Sequence, residues 1–481
     1  MRPAAPQILL LLAAFITGWG PPASPALPDI GDPAGQALSP AAERRIGQAL
    51  LQELRRKRLV LEDPPALTYL RGLGAELVAA AGEPAPAFTF FLVRDRSINA
   101  FAAPGGHIGV HAGLILAAER ESELAGVLAH EMAHVTQRHL ARTFDEARRM
   151  TLPAAAALLA AALLGARSPE AGEAALAAGM AGLAQHRVNF TRANEREADR
   201  IGIEILLRAG ISPEGLVRFF GRLQRERSLY GGEPPEFLST HPVTPSRIAD
   251  ARARIPPRTK GRQDRLAYQL VRARVEVLTA EDAAAVESRF RKAVATGTHA
   301  VTAAARYGLA LALLRRGKAA EAERILMALQ HEDPDRILYR IGLARARLEA
   351  GRKAAALALL EQSLRLYPGN PLLVRAHAEA LLEAGRPEQA RKRLQPLIRP
   401  ETDDPGLYAL YARVAEAAGH RAEAHRAQAE VYFLNGQVDA AIQQLEQALR
   451  LARSDYYEAS RIRARLGEIK DYARAMQARH P

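Results

Sequence analysis

A glycine recurs every 34 residues in the C-terminal half of the chain, and this spacing constrains the fold more than any other feature of the sequence. The recurring glycines are Gly317, Gly351, Gly385 and Gly419. Each is followed five positions later by an alanine, namely Ala322, Ala356, Ala390 and Ala424. The segments on both sides of each glycine have helical periodicity, and prolines lie between successive units. The period therefore predicts pairs of helices that pack in a regular array.

A 34-residue period of this kind, with glycine between two helices and a small residue where they touch, is typical of tetratricopeptide repeats. Each helix pair cannot bury its apolar face alone, so the array is expected to form a superhelix with a concave surface. We interpret that surface as a binding site for extended or partly folded partners. The alternative is that part of it packs against the first domain. Because Gly436 and Ala441 follow after only 17 residues, the last pairs either share one helix or shift in register.

The first 26 residues are typical of an export signal. Arg2 precedes an apolar run from Ile8 to Trp19, and small residues then lead to a plausible cleavage position after Ala26. The run is too short to span a bilayer comfortably, although an uncleaved anchor is the alternative. The chain has no cysteine, which excludes both a disulfide framework and a lipid-bearing cysteine at the mature N-terminus. We expect an exported, disulfide-free protein.

The segment VLAHEMAHVTQRH, residues 127–139, carries three histidines and a glutamate within an apolar helical pattern. On a helix, His130 and His134 lie roughly 40° apart and both can reach one ion. Glu131 lies beside the first histidine, where its carboxylate can reach a water on that ion. This HExxH arrangement predicts a Zn²⁺ site with a general base. By the same helical geometry, His139 is expected to point to nearly the opposite side.

A third ligand is needed, because catalytic zinc takes three protein ligands and keeps one open position. The metzincin pattern is excluded, since Gln137 and Leu140 occupy the positions where it requires glycine and histidine. The later segment NEREADRIG offers Glu195 as the ligand and Asp199, four residues on, to orient a histidine N–H. Glu197 is expected to face away. The alternative for this segment is an ordinary acidic helix start.

The chain resembles the HtpX-like zinc metallopeptidases in the motifs HEMAH, NEREADRIG and the later THP. It also matches this family in the segments LPDIGDPAG, SINAFAAPGG and HVTQRHLAR. With the export signal and the repeats, the chain is similar to the periplasmic beta-barrel assembly-enhancing proteases of Gram-negative bacteria. The resemblance implies one zinc ion per subunit, bound by His130, His134 and Glu195, with Glu131 as catalytic base. It places Asp199 at the position of a proton donor, whereas its spacing equally suits an orienting residue.

The resemblance also implies that His241, in the loop THPVTPSR, is a regulatory fourth zinc ligand that holds the enzyme shut. Without the resemblance, a lone loop histidine is more often inert. We further interpret Arg247 as a group that could steady a developing oxyanion.

The predicted fold is mainly α: an α+β zincin-type metallopeptidase domain with a small sheet, followed by the repeat superhelix. The predicted bounds are 1–26 for the signal peptide, 27–254 for the peptidase domain, 255–265 for a linker and 266–481 for the repeats. Residues 87–93 and 98–103 read as strands, and an exposed edge there would accept an extended peptide; the alternative is that both strands are paired in the core. The apolar segments 152–166 and 174–184 read as a buried helical hairpin, with a lid or a peripheral membrane contact as the alternative.

The net charge of +13 does not predict nucleic-acid binding, because the arginines alternate with glutamates along helices and form no basic tract. Two functions stay open. One is a periplasmic zinc endopeptidase that degrades misfolded or stalled outer-membrane proteins, with the repeats recruiting them or the barrel-assembly machinery, and with possible chaperone activity. The other is a holdase or adaptor of that machinery in which proteolysis is latent.

Overall fold

A computed structural model describes residues 39–82, 87–149, 169–230, 236–262, 264–297, 299–453 and 455–477. The predicted signal peptide, residues 1–26, and the apolar run 152–166 lie outside the described residues. The backbone of residues 174–184 forms part of a long helix, Pro169–Arg208.

In the described ranges, three strands and nine α-helices lie before residue 255, and twelve α-helices follow. The strands are β1 (Thr89–Val93), β2 (Ala100–Ala103) and β3 (His107–His111). The helices up to residue 253 are α1 (Pro40–Arg56), α2 (Pro64–Ala81), α3 (Ala112–Ala117), α4 (Glu121–Thr136), α5 (His139–Arg149), α6 (Pro169–Arg208), α7 (Glu214–Tyr230), α8 (Glu236–Thr240) and α9 (Pro245–Ala253).

The helices that follow are α10 (Leu266–Thr279), α11 (Ala283–Thr296), α12 (His299–Arg315), α13 (Ala319–Glu332), α14 (Ile337–Glu349), α15 (Lys353–Leu366), α16 (Pro371–Glu383), α17 (Pro387–Leu394), α18 (Pro405–Ala417), α19 (Arg421–Leu434), α20 (Val438–Leu451) and α21 (Tyr456–Gln477).

The chain divides into two compact units. Unit 1 consists of the described residues within 1–50 and 70–264, and unit 2 consists of those within 51–69 and 265–481. The domain and linker bounds given by the sequence stay predictions.

The sheet of unit 1 has the strand order β1-β3-β2. β1 runs parallel to β3, with Thr89 opposite His107, and β2 runs antiparallel to β3, with Ala100 opposite Val110. The side chains of β1 and β3 are almost all buried, as expected for a strand covered on both faces. β2 pairs on one side only within the described residues, so it is an edge strand of this sheet.

Helix α4 lies at the centre of unit 1 and contacts β2, α6 and α7. All its residues from Glu121 to Ala133 are buried, so its backbone must approach its neighbours closely. Glycines permit this approach: a Cβ on Gly126 would lie 2.8 Å from the Cβ of Leu216 in α7, and a Cβ on Gly202 in α6 would lie 3.2 Å from the backbone nitrogen of His130. The α4–α6 contact brings the two predicted ligand segments together.

The repeat glycines of unit 2 all lie between the two helices of a pair and adopt positive φ, from 71° at Gly317 to 84° at Gly419. An L-residue with a side chain rarely adopts this conformation, whereas glycine adopts it readily and ends a helix there. The alanines five residues later are buried where the helices meet. The prediction of a mainly α-helical chain, with a small sheet followed by stacked helix pairs, is confirmed.

The end of the array resolves the two alternatives left open for the short spacing. Helix α19 lies between Gly419 and Gly436 and packs against both α18 and α20. The last pairs therefore share one helix, which explains why only 17 residues separate these glycines.

Unit 2 includes a segment from early in the chain, residues 51–69. Gln52 donates its amide to the carbonyl of Phe433 at 3.0 Å and accepts from the Tyr472 hydroxyl at 2.9 Å. Arg274 forms a bidentate pair with Asp63 at 2.7 and 2.8 Å. These contacts join the segment to both early and late helices of the array.

The Pro-rich segment 255–265 contains no helix or strand among its described residues. Within unit 1, the Arg262 backbone N–H donates to the Gly210 carbonyl at 2.8 Å. Across the part of the chain that the structure describes, none of the helices combines the length and apolarity that a membrane span requires.

Candidate metal centre and peptidase site

Helix α4 presents the HExxH side chains to one side of unit 1. His130 and Glu131 are 0% and 1% exposed, and the His134 side chain is 14% exposed. His130 Nε2 and His134 Nε2 lie 3.1 Å apart. The two imidazoles thus converge on one point, as their spacing along the helix predicts.

Helix α6 brings the acidic residues to the same point. Glu195 Oε2 lies 3.4 Å from His130 Nε2, and Glu195 Oε1 lies 3.4 Å from His134 Nε2. Asp199, one turn further on, places Oδ1 3.0 Å from His130 Nδ1. The second nitrogen of His130 therefore faces a carboxylate, which is the arrangement that fixes the tautomer of a metal-binding histidine.

His241 follows directly after α8 and reaches the same cluster. Its backbone N–H donates to the Phe237 carbonyl at 2.7 Å, and its ring stacks on the Phe237 ring with centroids 4.9 Å apart. Its Nδ1 lies 3.0 Å from Glu195 Oε1 and 3.3 Å from His130 Nε2, and its Nε2 lies 3.4 Å from Glu131 Oε1. The loop histidine is thus packed into the site.

The spacing of these donors fits one tetrahedral ion. One atom each from His130, His134, Glu195 and His241 lies within 4.8 Å of the others, and the contacts given above measure 3.0–3.4 Å. Four ligands held tetrahedrally at ~2.0–2.1 Å from zinc lie ~3.3–3.4 Å apart. In addition, Glu131 Oε1 is buried without a hydrogen-bond partner among the described residues. Two imidazoles, a carboxylate and a third imidazole are a donor set that suits zinc.

Arg247, at the start of α9, pairs with the acids behind the donors. Its Nε and Nη2 lie 2.8 Å from the two oxygens of Asp199, and its Nη1 lies 2.7 Å from Glu195 Oε2. The interpretation of Arg247 as an oxyanion group is wrong, because the guanidinium is 3% exposed and faces these carboxylates rather than the cleft. It balances the charge of the acids instead.

The charges in the cluster shift several pKa values. Burial lowers the pKa of His130, but hydrogen bonds and charges from Asp199 and Glu195 outweigh it and raise that pKa to about 10. Burial and the neighbouring histidines lower the pKa of His134. Burial raises the pKa of Glu131, which a proton acceptor near neutrality requires. Burial would raise the pKa of Glu195, yet His241 and His130 hold it well below its usual range.

The prediction for His139 is wrong. Helix α4 ends at Thr136, and Arg138 adopts a φ of 53°, so α5 starts at His139 in a new direction. The turn brings His139 Nδ1 to 2.9 Å from His134 Nδ1. Helical geometry from α4 does not apply beyond that break.

Glu197 was expected to face away from the site, and it does point away from the donor atoms toward α5. There, its Oε2 lies 3.1 Å from His139 Nε2 and 2.7 Å from Arg142 Nη2. The sequence analysis did not predict this contact, although a histidine five residues after His134 could have indicated a partner for that ligand.

A cleft of about 310 Å³ opens onto the site. It is lined by Glu131, His134, His139, Glu195 and His241, and along one wall by the residues of β2, Phe101, Ala102 and Ala103. The predicted metal donors and the predicted strand therefore border one space.

The unpaired side of β2 faces this space. The His111 N–H donates to the Asn99 carbonyl at 3.0 Å, and antiparallel pairing alternates, so Ala100 and Ala102 direct their backbone groups away from β3. Consistently, Ala102 hydrogen-bonds through its backbone with Glu131. The strand is thus an edge that borders the cleft at Phe101, Ala102 and Ala103, whereas Ala100 is buried; binding of an extended peptide there stays a prediction.

Known proteins share both parts of the chain. The family described as Peptidase family M48 matches residues 66–255, and Tetratricopeptide repeat matches residues 347–414. A Vibrio cholerae relative is 43% identical over 65% of this chain and 65% of its own length. Two further relatives are both named beta-barrel assembly-enhancing protease. The one from Yersinia pestis is 38% identical over 66% of this chain and 65% of its own length. The one from Escherichia coli K12 is 36% identical over 69% of this chain and 69% of its own length. The match thus spans just under two thirds of the first two relatives.

Proposed function

The chain belongs to the M48 family of peptidases, and on this premise we propose that it is a zinc-dependent endopeptidase of the periplasm that degrades misfolded or stalled outer-membrane proteins. The observation that carries the proposal is the convergence of His130 Nε2, His134 Nε2 and a Glu195 oxygen. Glu131 lies beside them with one buried oxygen that lacks a partner among the described residues.

The proposed roles follow from those positions. His130, His134 and Glu195 would hold the zinc ion. When bound, zinc supplies a Lewis acid that polarises a peptide carbonyl and activates water. Glu131 accepts a proton from that water and returns it to the leaving nitrogen, a role that suits its raised pKa. Asp199 orients His130 through Nδ1 rather than donating a proton, because its oxygens are paired with Arg247.

The substrate would bind as an additional strand on β2. Phe101, Ala102 and Ala103 line the cleft, so an extended peptide would pair beside them, and such main-chain pairing is independent of side-chain identity. This suits an enzyme whose substrates are unfolded or stalled chains. The concave surface of the repeats would recruit those chains or the barrel-assembly machinery.

His241 would act as a latch. One of its ring nitrogens completes the four-donor set, and a catalytic zinc site needs that fourth position open. The peptidase is therefore latent until α8 and the following loop move His241 out of the cleft.

The test is metal analysis of the purified protein paired with casein digestion. We expect about one zinc per chain, loss of cleavage on Glu131→Gln with zinc retained, and faster cleavage on His241→Ala. A protein without stoichiometric zinc, or a Glu131→Gln variant that cleaves casein at the wild-type rate, contradicts the proposal.

The position of His241 also favours a second function, a repeat-based holdase or adaptor of the barrel-assembly machinery with latent proteolysis. Complementation of a deletion strain separates the two. Full complementation by Glu131→Gln favours the adaptor, whereas failure to complement favours the peptidase.

A further inference from the structure

We infer that His139 and Glu197 are positioning residues that hold His134 in its metal-binding tautomer and orientation. The inference rests on the proposed function, because it presumes that the site binds a metal ion. Neither residue belongs to the four-donor set.

The contact between His134 and His139 is close and sheltered. His134 directs Nε2 to the donor cluster, which leaves Nδ1 on the other side of the ring, 2.9 Å from His139 Nδ1. The rings meet edge to face, with centroids 4.7 Å apart. His139 is 3% exposed, so water does not substitute for this partner.

Proton positions determine the direction of this hydrogen bond. A neutral imidazole carries one N–H and one lone pair. If His134 offers its Nε2 lone pair to an ion, its proton is on Nδ1, and His139 Nδ1 must accept it. The proton of His139 is then on Nε2, 3.1 Å from Glu197 Oε2, which can only accept.

The reverse direction would disable the ligand. A proton on His139 Nδ1 would be donated to His134 Nδ1, and the proton of His134 would then occupy Nε2, which faces the donor cluster. Glu197 disfavours this state because its carboxylate would meet a lone pair on His139 Nε2 instead of an N–H. The carboxylate thus selects the binding tautomer of His134 through His139.

Glu197 is itself held in place. Arg142, one turn along α5 from His139, donates to Glu197 Oε2 at 2.7 Å. The segment after Arg138 therefore supplies both the histidine and the cation that fixes the carboxylate. His130 is supported more directly, by Asp199 at 3.0 Å from Nδ1, so each ligand histidine has a partner for its second nitrogen.

The experiment compares His139→Leu with His139→Gln. Leucine is similar in size but offers neither donor nor acceptor, whereas glutamine keeps a carbonyl for His134 and an amide for Glu197. Zinc affinity is measured by competition with a chromophoric chelator, and thermal unfolding is measured on the metal-free proteins. Loss of a partner to a ligand histidine typically weakens metal binding about 10- to 100-fold. We expect a loss of zinc affinity of that size for His139→Leu and a loss of less than about tenfold for His139→Gln. The melting temperatures of the metal-free variants should not fall in proportion to these losses.

Glu197→Ala is the second variant, since Glu197 is partly exposed and its replacement spares the core. Glu204→Ala is its matched control, because Glu204 lies on the same helix and pairs only with Arg200 and Arg208 among the contacts observed for it. We expect weaker zinc binding for Glu197→Ala and unchanged binding for Glu204→Ala.

The outcomes separate this inference from the proposed function. Wild-type zinc affinity in His139→Leu or in Glu197→Ala overturns the positioning role and leaves the peptidase proposal intact. Equal losses in the glutamine and leucine variants, accompanied by equal losses of metal-free stability, mean that His139 only packs. A wild-type protein that binds no zinc overturns the proposed function itself.

Discussion

Replacing Arg247 by methionine should destabilise unit 1 strongly in the metal-free protein. The Arg247 side chain is 3% exposed, and its partners Asp199 and Glu195 are each 5% exposed. Methionine keeps much of the apolar stem but removes three ion contacts of 2.7–2.8 Å. Both carboxylates would then remain buried without this cation.

The magnitude follows from that burial. Removing one partner of a buried ion pair costs about 3–5 kcal/mol, because the remaining charge is left uncompensated. Arg200→Met is the matched control, since Arg200 pairs with Glu204 on the same helix at 2.8 Å but both side chains are more than 40% exposed. An exposed pair of this kind contributes about 0.3–0.5 kcal/mol.

Hydrogen exchange monitored by mass spectrometry measures the effect locally, in excess chelator. Peptides from the second half of α6 and from α9 should exchange on the order of 10²- to 10³-fold faster in Arg247→Met, if exchange reports the free energy of opening. The Arg200→Met protein should exchange as the wild type does. A double-mutant cycle with Asp199→Asn should give a coupling of about 1–3 kcal/mol.

An acceleration below about tenfold, which corresponds to ~1.4 kcal/mol, would refute the reasoning. It would mean that water reaches the two carboxylates once the guanidinium is gone. A large acceleration without coupling to Asp199→Asn would assign the cost to packing, including the contact of the guanidinium with the Phe220 ring at 5.2 Å.

Two further predictions concern a close helix contact and a buried histidine. Gly202→Ala should weaken zinc binding, because the new Cβ would lie 3.2 Å from the His130 backbone nitrogen and push α6 away from α4. This is expected even though alanine favours a helix over glycine by about 1 kcal/mol. Zinc affinity is measured by chelator competition, and an unchanged affinity would contradict the prediction. In unit 2, His377 is buried, neither ring nitrogen has a hydrogen-bond partner among the described residues, and burial and Arg393 lower its pKa while Glu361 opposes them. Because the pKa is lowered in the folded state, the contribution of neutral His377 to stability is complete above the pKa of about 6.5 in the unfolded chain and is lost as pH falls below it. The melting temperature should therefore drop more between pH 7.5 and 5.5 in the wild type than in His377→Leu. Equal drops in the two proteins would contradict this prediction.

Local periodicity explains why the donor set could be predicted. A spacing of four residues places His130 and His134 on one side of a helix whatever surrounds it, and the same holds for Glu195 and Asp199. The repeat array was equally accessible, because positive φ at the glycines is a local requirement. The pairing of these two helix turns is not local, and it was predicted from the need for a third ligand and from the resemblance.

The features that the sequence did not determine depend on non-local geometry. The position of His139 follows from a left-handed backbone at Arg138, and arginine carries no sequence signal for that conformation. The edge status of β2 depends on what does not pair with it, and one sequence does not show this. Membership of residues 51–69 in unit 2 depends on side-chain contacts to residues hundreds of positions away.

The two positioning carboxylates share a feature that bears on how the site would handle charge. Asp199 is paired with Arg247, and Glu197 is paired with Arg142, so each accepts a histidine proton while an arginine balances its charge. Uncompensated carboxylates beside the ligands would make the site more anionic, and additional negative charge weakens the Lewis acidity that peptide hydrolysis requires. With both arginines in place, the candidate ligand histidines gain fixed orientations, and the negative charge nearest the donor cluster comes from Glu131 and from Glu195, which Arg247 also contacts at 2.7 Å. The arginines therefore separate orientation of the ligands from the charge that a bound ion would experience.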